Sequence, residues 1–184
     1  MTGRIHSIET LGGRDGPGLR AVVFLQGCPL RCRYCHNPDT WDPGGGREMD
    51  VAGVLGRVRR LRPYFGASGG VTLSGGEPLL QAAFAAELLQ ACRAEGIGTA
   101  LDTGGGVPWN DAVQRALDAA DLVLLDVKAT GPAAYRALTG GTPAHPLRII
   151  EHLRQTGRPV WVRQVVIAGY NDMVAAVRRM RAQV

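Results

Sequence analysis

The chain has 184 residues, 45% of them apolar, with 21 basic against 16 acidic side chains and a formal net charge of +5. That is the length of one domain over residues 1–184, able to bury about 70% of its unfolded surface. No apolar run approaches the ~20 residues of a membrane span, and the opening segment lacks the apolar core of an export signal, so a cytoplasmic protein with no membrane contact is expected.

Five short apolar or β-branched runs punctuate the sequence, at residues 21–25, 71–73, 99–101, 122–125 and 160–167. Between them lie segments of helical periodicity at 51–61, 79–95, 111–120 and 147–156. Pro78 stands near the first turn of the second, and Gly96 and Gly157 stop the second and fourth. Strand–helix alternation with short connections predicts an α/β fold with a parallel sheet, and wholly apolar strands predict burial on both faces. Cys92 recurs at helical spacing with Phe84 and Leu88, which makes it a core residue. Of the 21 cations 20 are arginine. The clusters Arg57, Arg59, Arg60, Arg62 and Arg178, Arg179, Arg181 have no interleaved aromatics, so they read as solvated helix faces and no nucleic-acid partner is expected.

Each strand runs into polar or glycine-rich chemistry. The first leads to Cys28, Cys32 and Cys35 in a C-x3-C-x2-C loop, and the second to Ser74-Gly75-Gly76-Glu77-Pro78. The third leads to Asp102-Thr103-Gly104-Gly105 and the fourth to Asp126-Val127-Lys128, while the fifth carries Arg163 and Gln164. Function gathered at C-terminal strand ends is how (βα) barrels build active sites. Gly75 and Gly76 would let backbone approach a ligand, with the N–H groups opening the next helix free to receive an anion. Lys128 is the only lysine, a compact ammonium where the chain otherwise uses guanidinium.

Three thiolates on one short loop suit a [4Fe–4S] cube with one iron left open to a small molecule. A Cys3His zinc site using His36 is the rival, weakened because Cys35 and His36 are adjacent. A disulfide or free thiols remain as further readings.

The cysteine loop with Tyr34 and His36, followed one strand later by residues 74–78, resembles the radical S-adenosylmethionine superfamily. Asp15-Gly16-Pro17-Gly18, Gln26-Gly27-Cys28, Tyr34-Cys35-His36-Asn37, Asp39-Thr40-Trp41-Asp42, Leu101-Asp102-Thr103 and Asp126-Val127-Lys128 resemble the pyruvate formate-lyase activating enzymes. The resemblance implies a partial (β/α)6 barrel with about five βα units present, one [4Fe–4S] cluster and S-adenosylmethionine. It implies a 5′-deoxyadenosyl radical that takes hydrogen from a backbone glycine of a glycyl radical enzyme, with pyruvate formate-lyase as that partner and flavodoxin or a similar donor supplying the electron. Cys28, Cys32 and Cys35 would then ligate iron. Tyr34, His36, Gly75, Gly76, Glu77, Asp102, Asp126, Val127 and Lys128 would line the cofactor, and Asp15 and Arg163 would meet the substrate.

Asp102 and Asp126, at adjacent strand ends, would need a positive partner: Lys128, the cofactor itself or an alkali cation. A strand-end cap is the plainer reading of Asp102. Relatives of this kind continue past the position of Val184 through a last strand, so a truncated barrel with residues 160–167 as a bare edge is expected. Ala168 replaces a proline usual in relatives. The rival functions are activation of another glycyl radical enzyme, such as anaerobic ribonucleotide reductase, and a non-catalytic metal-binding fragment.

Overall fold

The computed structural model describes residues 1–184, the side chain of Gln183 excepted. Seven strands form one open sheet: β1 (Thr2–Gly12), β2 (Arg20–Leu25), β3 (Arg47–Asp50), β4 (Gly70–Gly75), β5 (Gly98–Thr103), β6 (Leu122–Asp126) and β7 (Val160–Arg163). Six α-helices accompany them: α1 (Val51–Leu61), α2 (Ala82–Ala94), α3 (Asp111–Ala119), α4 (Pro132–Thr139), α5 (Ala144–Thr156) and α6 (Val174–Gln183). The order across the sheet is β3-β1-β2-β4-β5-β6-β7, with β2, β4, β5, β6 and β7 parallel. β1 lies antiparallel to both β2 and β3. The five expected strands are therefore present and parallel, and two antiparallel strands not anticipated extend the sheet on one side.

Both additions have physical reasons for being faint in sequence. β1 is interrupted by register shifts between Ile5 and Ser7 and between Glu9 and Gly12, which break its apolar alternation. β3 is four residues long and polar, and its charged side chains suit a sheet edge that must not pair further. At the other edge β7 is shorter than the apolar run 160–167. Its ladder stops where Asp126 meets Arg163. Beyond that point the chain curls into a loop held by Asn171, which accepts from the Ile167 N–H and donates to the Val165 carbonyl. Val160 and Trp161 are exposed, so burial on both faces holds for β2, β4, β5 and β6 but not for β7.

The two faces of the sheet divide by the period of two. Ala21, Val23, Leu25, Val71, Leu73, Leu101, Val123 and Leu125 pack outward against the helices in the main core, with Cys92 wholly buried among them as its spacing predicted. The alternate positions, Phe24, Ser74, Asp102, Asp126 and Arg163, share the opposite face.

The floor of that face is tied by Arg20, which is 2% exposed. Its guanidinium donates to Thr72 Oγ1 (2.7 Å) and to the carbonyls of Val71 (2.8 Å), Pro17 (3.0 Å) and Gly98 (3.2 Å). One side chain thus joins the starting ends of β2, β4 and β5 and the turn that carries Asp15. Burial lowers its pKa to about 10, against the upward pull of Asp121 and Asp15, so it stays charged at neutral pH.

Helix starts follow local chemistry. Asp50 caps α1 through the Gly53 N–H at 2.7 Å, and Asn110 caps α3 through the Val113 N–H at 3.0 Å. α4 falls in a stretch without long periodicity. Its signals were the punctuation itself: Pro132 in the first turn and Gly140, in the left-handed region, just past the end.

Candidate active site

The cysteine loop is anchored from two sides. The Gly27 N–H donates to the Thr40 carbonyl (2.7 Å) and the Cys28 N–H to that of Trp41 (3.2 Å). From the other wall, the Arg31 and Arg33 N–H groups donate to the last carbonyls of α4, Thr139 (2.8 Å) and Leu138 (2.9 Å). Cys35 is tied to its neighbour by its own N–H, bonded to the Cys32 carbonyl at 3.0 Å. So held, the three thiols open on one cavity of about 680 Å³, a volume typical of cofactor sites.

That cavity gathers nearly every residue singled out from sequence: Cys28, Cys32, Tyr34, Cys35, His36, Gly75, Gly76, Glu77, Asp102, Asp126 and Lys128, with Asp15 and Arg163. Val127 does not belong with them. Its side chain points the other way along the strand direction and packs in the main core.

Gly75 and Gly76 line the cavity, but the space their missing side chains leave is taken by the chain itself. A Cβ on Gly75 would come within 2.4 Å of the Leu25 backbone, and one on Gly76 within 2.3 Å of the Gly27 carbonyl. The N–H groups that follow are also committed: Gly76 to Leu25 O (3.0 Å), Glu77 to Gly27 O (2.8 Å) and Leu79 to the Glu77 carboxylate (3.0 Å). The expected anion site at the opening of that helix is therefore absent among the described residues. A short 3-10 turn, Pro78–Gln81, replaces the first turn of the helix expected at 79–95.

Glu77 is an organiser. Its carboxylate is 1% exposed and accepts from Thr103 Oγ1 (2.6 Å), from the Leu79 N–H and from the Gly104 N–H (3.1 Å). Burial raises its pKa, and those hydrogen bonds together with Lys128 work against the rise. It pins the loop after β5 beneath the cysteine loop, where Leu30 and Lys128 both pack close to Gly104.

The strand-end charges form a balanced quartet. Lys128 Nζ lies 2.9 Å from Asp126 Oδ2, and the Arg163 Nε lies 3.4 Å from Asp126 Oδ1. Arg163 also pairs directly with Asp102, whose other oxygen accepts from Ser74 Oγ at 3.1 Å. Two carboxylates thus face two side-chain cations: Lys128, as expected, on Asp126, and Arg163, which was not anticipated, on both. The strand-end cap reading of Asp102 does not hold, because its partners are side chains. Burial pushes Asp102 up to about 6, opposed by Arg163 and reinforced by Asp126. Burial alone would lower Lys128, but Asp126 and Tyr34 outweigh it and keep the ammonium charged.

Two of the thiols, Cys28 and Cys32, resist ionising. Burial raises Cys28 to about 11, helped by Glu77, Cys32 and Cys35, and burial also raises Cys32. Thiols that resist ionising beside one another need a cationic centre to draw off their protons. The hydroxyl oxygens of Tyr34 and Tyr135 are buried and have no hydrogen-bond partner among the described residues. Soft donors, orphaned donors and a roomy cavity fit an iron–sulfur centre with an organic ligand beside it. Among the described residues no three His, Cys, Asp or Glu side chains converge on a point that would hold a single metal ion.

The profile of the radical SAM superfamily matches residues 22–180. A pyruvate formate-lyase-activating enzyme of Clostridium pasteurianum is 44% identical over 181 residues, which is 98% of this chain and 75% of that protein. The chain belongs to this family. A pyruvate formate-lyase 1-activating enzyme of Escherichia coli is also 44% identical, over 94% of this chain and 71% of its own length. Among solved structures, a domain of a pyruvate formate-lyase-activating enzyme from Bacteroides vulgatus aligns with a TM-score of 0.57 at 25% identity, covering 62% of this chain and 71% of that one. Streptococcus suis SuiB bound to S-adenosylmethionine shares the fold at a TM-score of 0.62 and 15% identity, over 86% of this chain and 35% of SuiB.

A [4Fe–4S] cluster and S-adenosylmethionine are thus this family's cofactors, and the sheet is the open, mostly parallel α/β form. Sequence reasoning missed the bridging role of Arg163, the organising role of Glu77 and the contribution of α4. The first could have been found from strand register, which sets Arg163 opposite Asp126.

Proposed function

We propose that this chain installs a glycyl radical on pyruvate formate-lyase. The observation that carries the reading is the 44% identity to pyruvate formate-lyase-activating enzymes over nearly the whole chain. In such a site the cluster and S-adenosylmethionine together supply a reductively generated 5′-deoxyadenosyl radical able to take a hydrogen atom from a glycine Cα.

The chain's own residues do the holding. Cys28, Cys32 and Cys35 ligate iron, and their shared opening on one cavity supports this. With the N–H groups after β4 already committed, the backbone near Gly75 and Gly76 offers a ligand carbonyl oxygens, which suit an ammonium rather than a carboxylate. Lys128 and Arg163 supply the complementary positive charge, so the Asp102–Asp126 pair needs no alkali cation for balance. Tyr34 and His36 wall the cofactor side, and Asp15, on the turn secured by Arg20 and Thr72, faces the substrate peptide from the cavity's far wall. A flavodoxin or similar low-potential carrier delivers the electron. The four free cysteines favour a reducing compartment, the cytoplasm. No helix among the described residues is long and apolar enough to cross a membrane.

The test is anaerobic reconstitution with iron and sulfide, followed by reduction in the presence of S-adenosylmethionine and purified pyruvate formate-lyase. Formation of 5′-deoxyadenosine together with a glycyl radical signal in electron paramagnetic resonance is the expected result. Bound zinc with no iron–sulfur absorption would refute the reading.

A further inference from the structure

β1 is 11 residues long, but β3 covers only its first part. The β3 ladder runs from Thr2 opposite Asp50 to Ile5 opposite Arg47 and stops there. Gly46, in the left-handed region at φ +67°, turns the chain off β1 at that point. From His6 to Gly12 the strand pairs with β2 alone, and among the described residues no backbone hydrogen bond reaches that stretch from any other segment. Alternate N–H and C=O groups along it therefore point outward with no strand to meet them. Glu9, Thr10 and Leu11 are exposed. The same stretch borders the site: His6, Ser7 and Glu9 line the cavity on which the three thiols open, and Asp15 joins them from the turn that follows. Its end nearest the cysteine loop is braced by the His6 ring, whose Nε2 lies 2.8 Å from Asp39 Oδ2.

We infer that the free edge of β1, residues 6–12, receives the glycine-bearing segment of the protein substrate as an added strand. The inference rests on the reading of this chain as the enzyme that installs a glycyl radical. The atom to be reached is a backbone Cα. Glycine has no side chain by which to be gripped, so its main chain and that of its neighbours must set its position. A bare strand edge does this, because it offers N–H and C=O groups at fixed intervals whatever the side chains are. The continuity of this edge with the cavity decides between it and the two outer edges of the sheet. No residue of β3 lines the cavity. β7 is four residues long, and its exposed Val160 and Trp161 stand at the end away from the cysteine loop. Past Arg163 the chain leaves the strand for the loop held by Asn171.

The experiment uses the anaerobically reconstituted chain, unreduced and with S-adenosylmethionine, and a short synthetic peptide copying the glycine-bearing segment of pyruvate formate-lyase. Hydrogen exchange is followed by mass spectrometry with and without the peptide. At a peptide concentration of about ten times its Kd, exchange over residues 6–12 should slow by about tenfold, while the amides of β7 stay unchanged. Two further peptides carry backbone N-methyl groups on alternate residues, in one register or the other. One register should bind about tenfold more weakly than the other, because only one set of N–H groups faces the strand. Bound peptide with unchanged exchange over 6–12, protection of β7 in its place, or equal binding of the two methylated registers would each overturn the inference. Protection of 6–12 that grows with chain concentration in the absence of peptide would also overturn it, by showing that a second copy occupies the edge. A glycyl radical formed on whole pyruvate formate-lyase without these signs would overturn the docking mode alone. No peptide binding together with no radical would overturn the functional reading and this inference with it.

Discussion

Asp102→Asn tests which force governs the strand-end quartet. Arg163 pairs with Asp102 and should hold its carboxyl down, whereas burial and the nearby Asp126 push it up. The balance favours burial, taking the group from 3.8 to about 6. A raised carboxyl pKa means that the folded chain holds more protons than the unfolded chain between those two values. Stability from this group is therefore full below the unfolded pKa and is lost as pH rises through the folded one. At 1.36 kcal/mol per pKa unit, a shift of about two units makes ionised Asp102 cost about 3 kcal/mol at neutral pH relative to its protonated form. Asparagine has no such dependence. Urea unfolding of the two apoproteins from pH 3.5 to 7.5 should show the variant gaining on the wild type by about 3 kcal/mol, with the change confined to the interval from about pH 4 to 6. A difference that stays constant with pH would refute the argument. A wild type that gains on the variant as pH rises would show that the Arg163 pair, not burial, sets the charge.

Other perturbations probe the parts separately. Cys28→Ala, Cys32→Ala and Cys35→Ala should each abolish the cluster absorbance after reconstitution, while Cys92→Ala, deep in the α2 core, should keep it and lower stability by about 1 kcal/mol. Lys128→Met leaves the Asp126 carboxylate short of its nearest cation and should cost about 3–5 kcal/mol in chemical denaturation. Lys128→Arg should not restore binding of S-adenosylmethionine in calorimetry, because the lysine stem already lies within 3.0 Å of where a Cβ on Gly104 would stand. Gly76→Ala should lower the iron content after reconstitution, since its methyl would displace the Gly27 carbonyl beside the first cysteine.

Much of this site could be read before any coordinates, because its residues sit where strands end and strand ends are marked by abrupt changes of chemistry. The runs ending before Ser74, Asp102 and Asp126 became β4, β5 and β6 within a residue or two. What stayed hidden depends on long-range pairing. Glu77 reads as a polar residue after a glycine turn, and only the fold brings Thr103 and Gly104 to its carboxylate. Arg20 opens an apolar run and looked like its boundary, but the neighbouring strands bury its guanidinium and satisfy it with their carbonyls. β1 escaped notice because its bulges break the period of two that marks a half-buried strand.

The same long-range pairing holds Cys28 and Cys32 to different walls. A flexible loop with this many cysteines would be prone to close on itself, since a disulfide needs only that two Cα atoms come within about 7 Å with suitable geometry. Here Cys28 is fastened through its N–H to the Trp41 carbonyl, while Cys32 is fastened through both neighbours to α4. The two walls belong to different parts of the chain. The first is the segment between β2 and β3, itself locked by the Gln26 amide to the carbonyls of Asp39 and Asp42. The second is a helix that follows directly on the strand end bearing Lys128. Collapse of Cys28 onto Cys32 would have to break backbone bonds on one wall, each worth about 1 kcal/mol net. The spacing of the cysteines is therefore a property of the scaffold, and the route from Lys128 through α4 to Cys32 makes the charged quartet and the cysteine loop one mechanical unit.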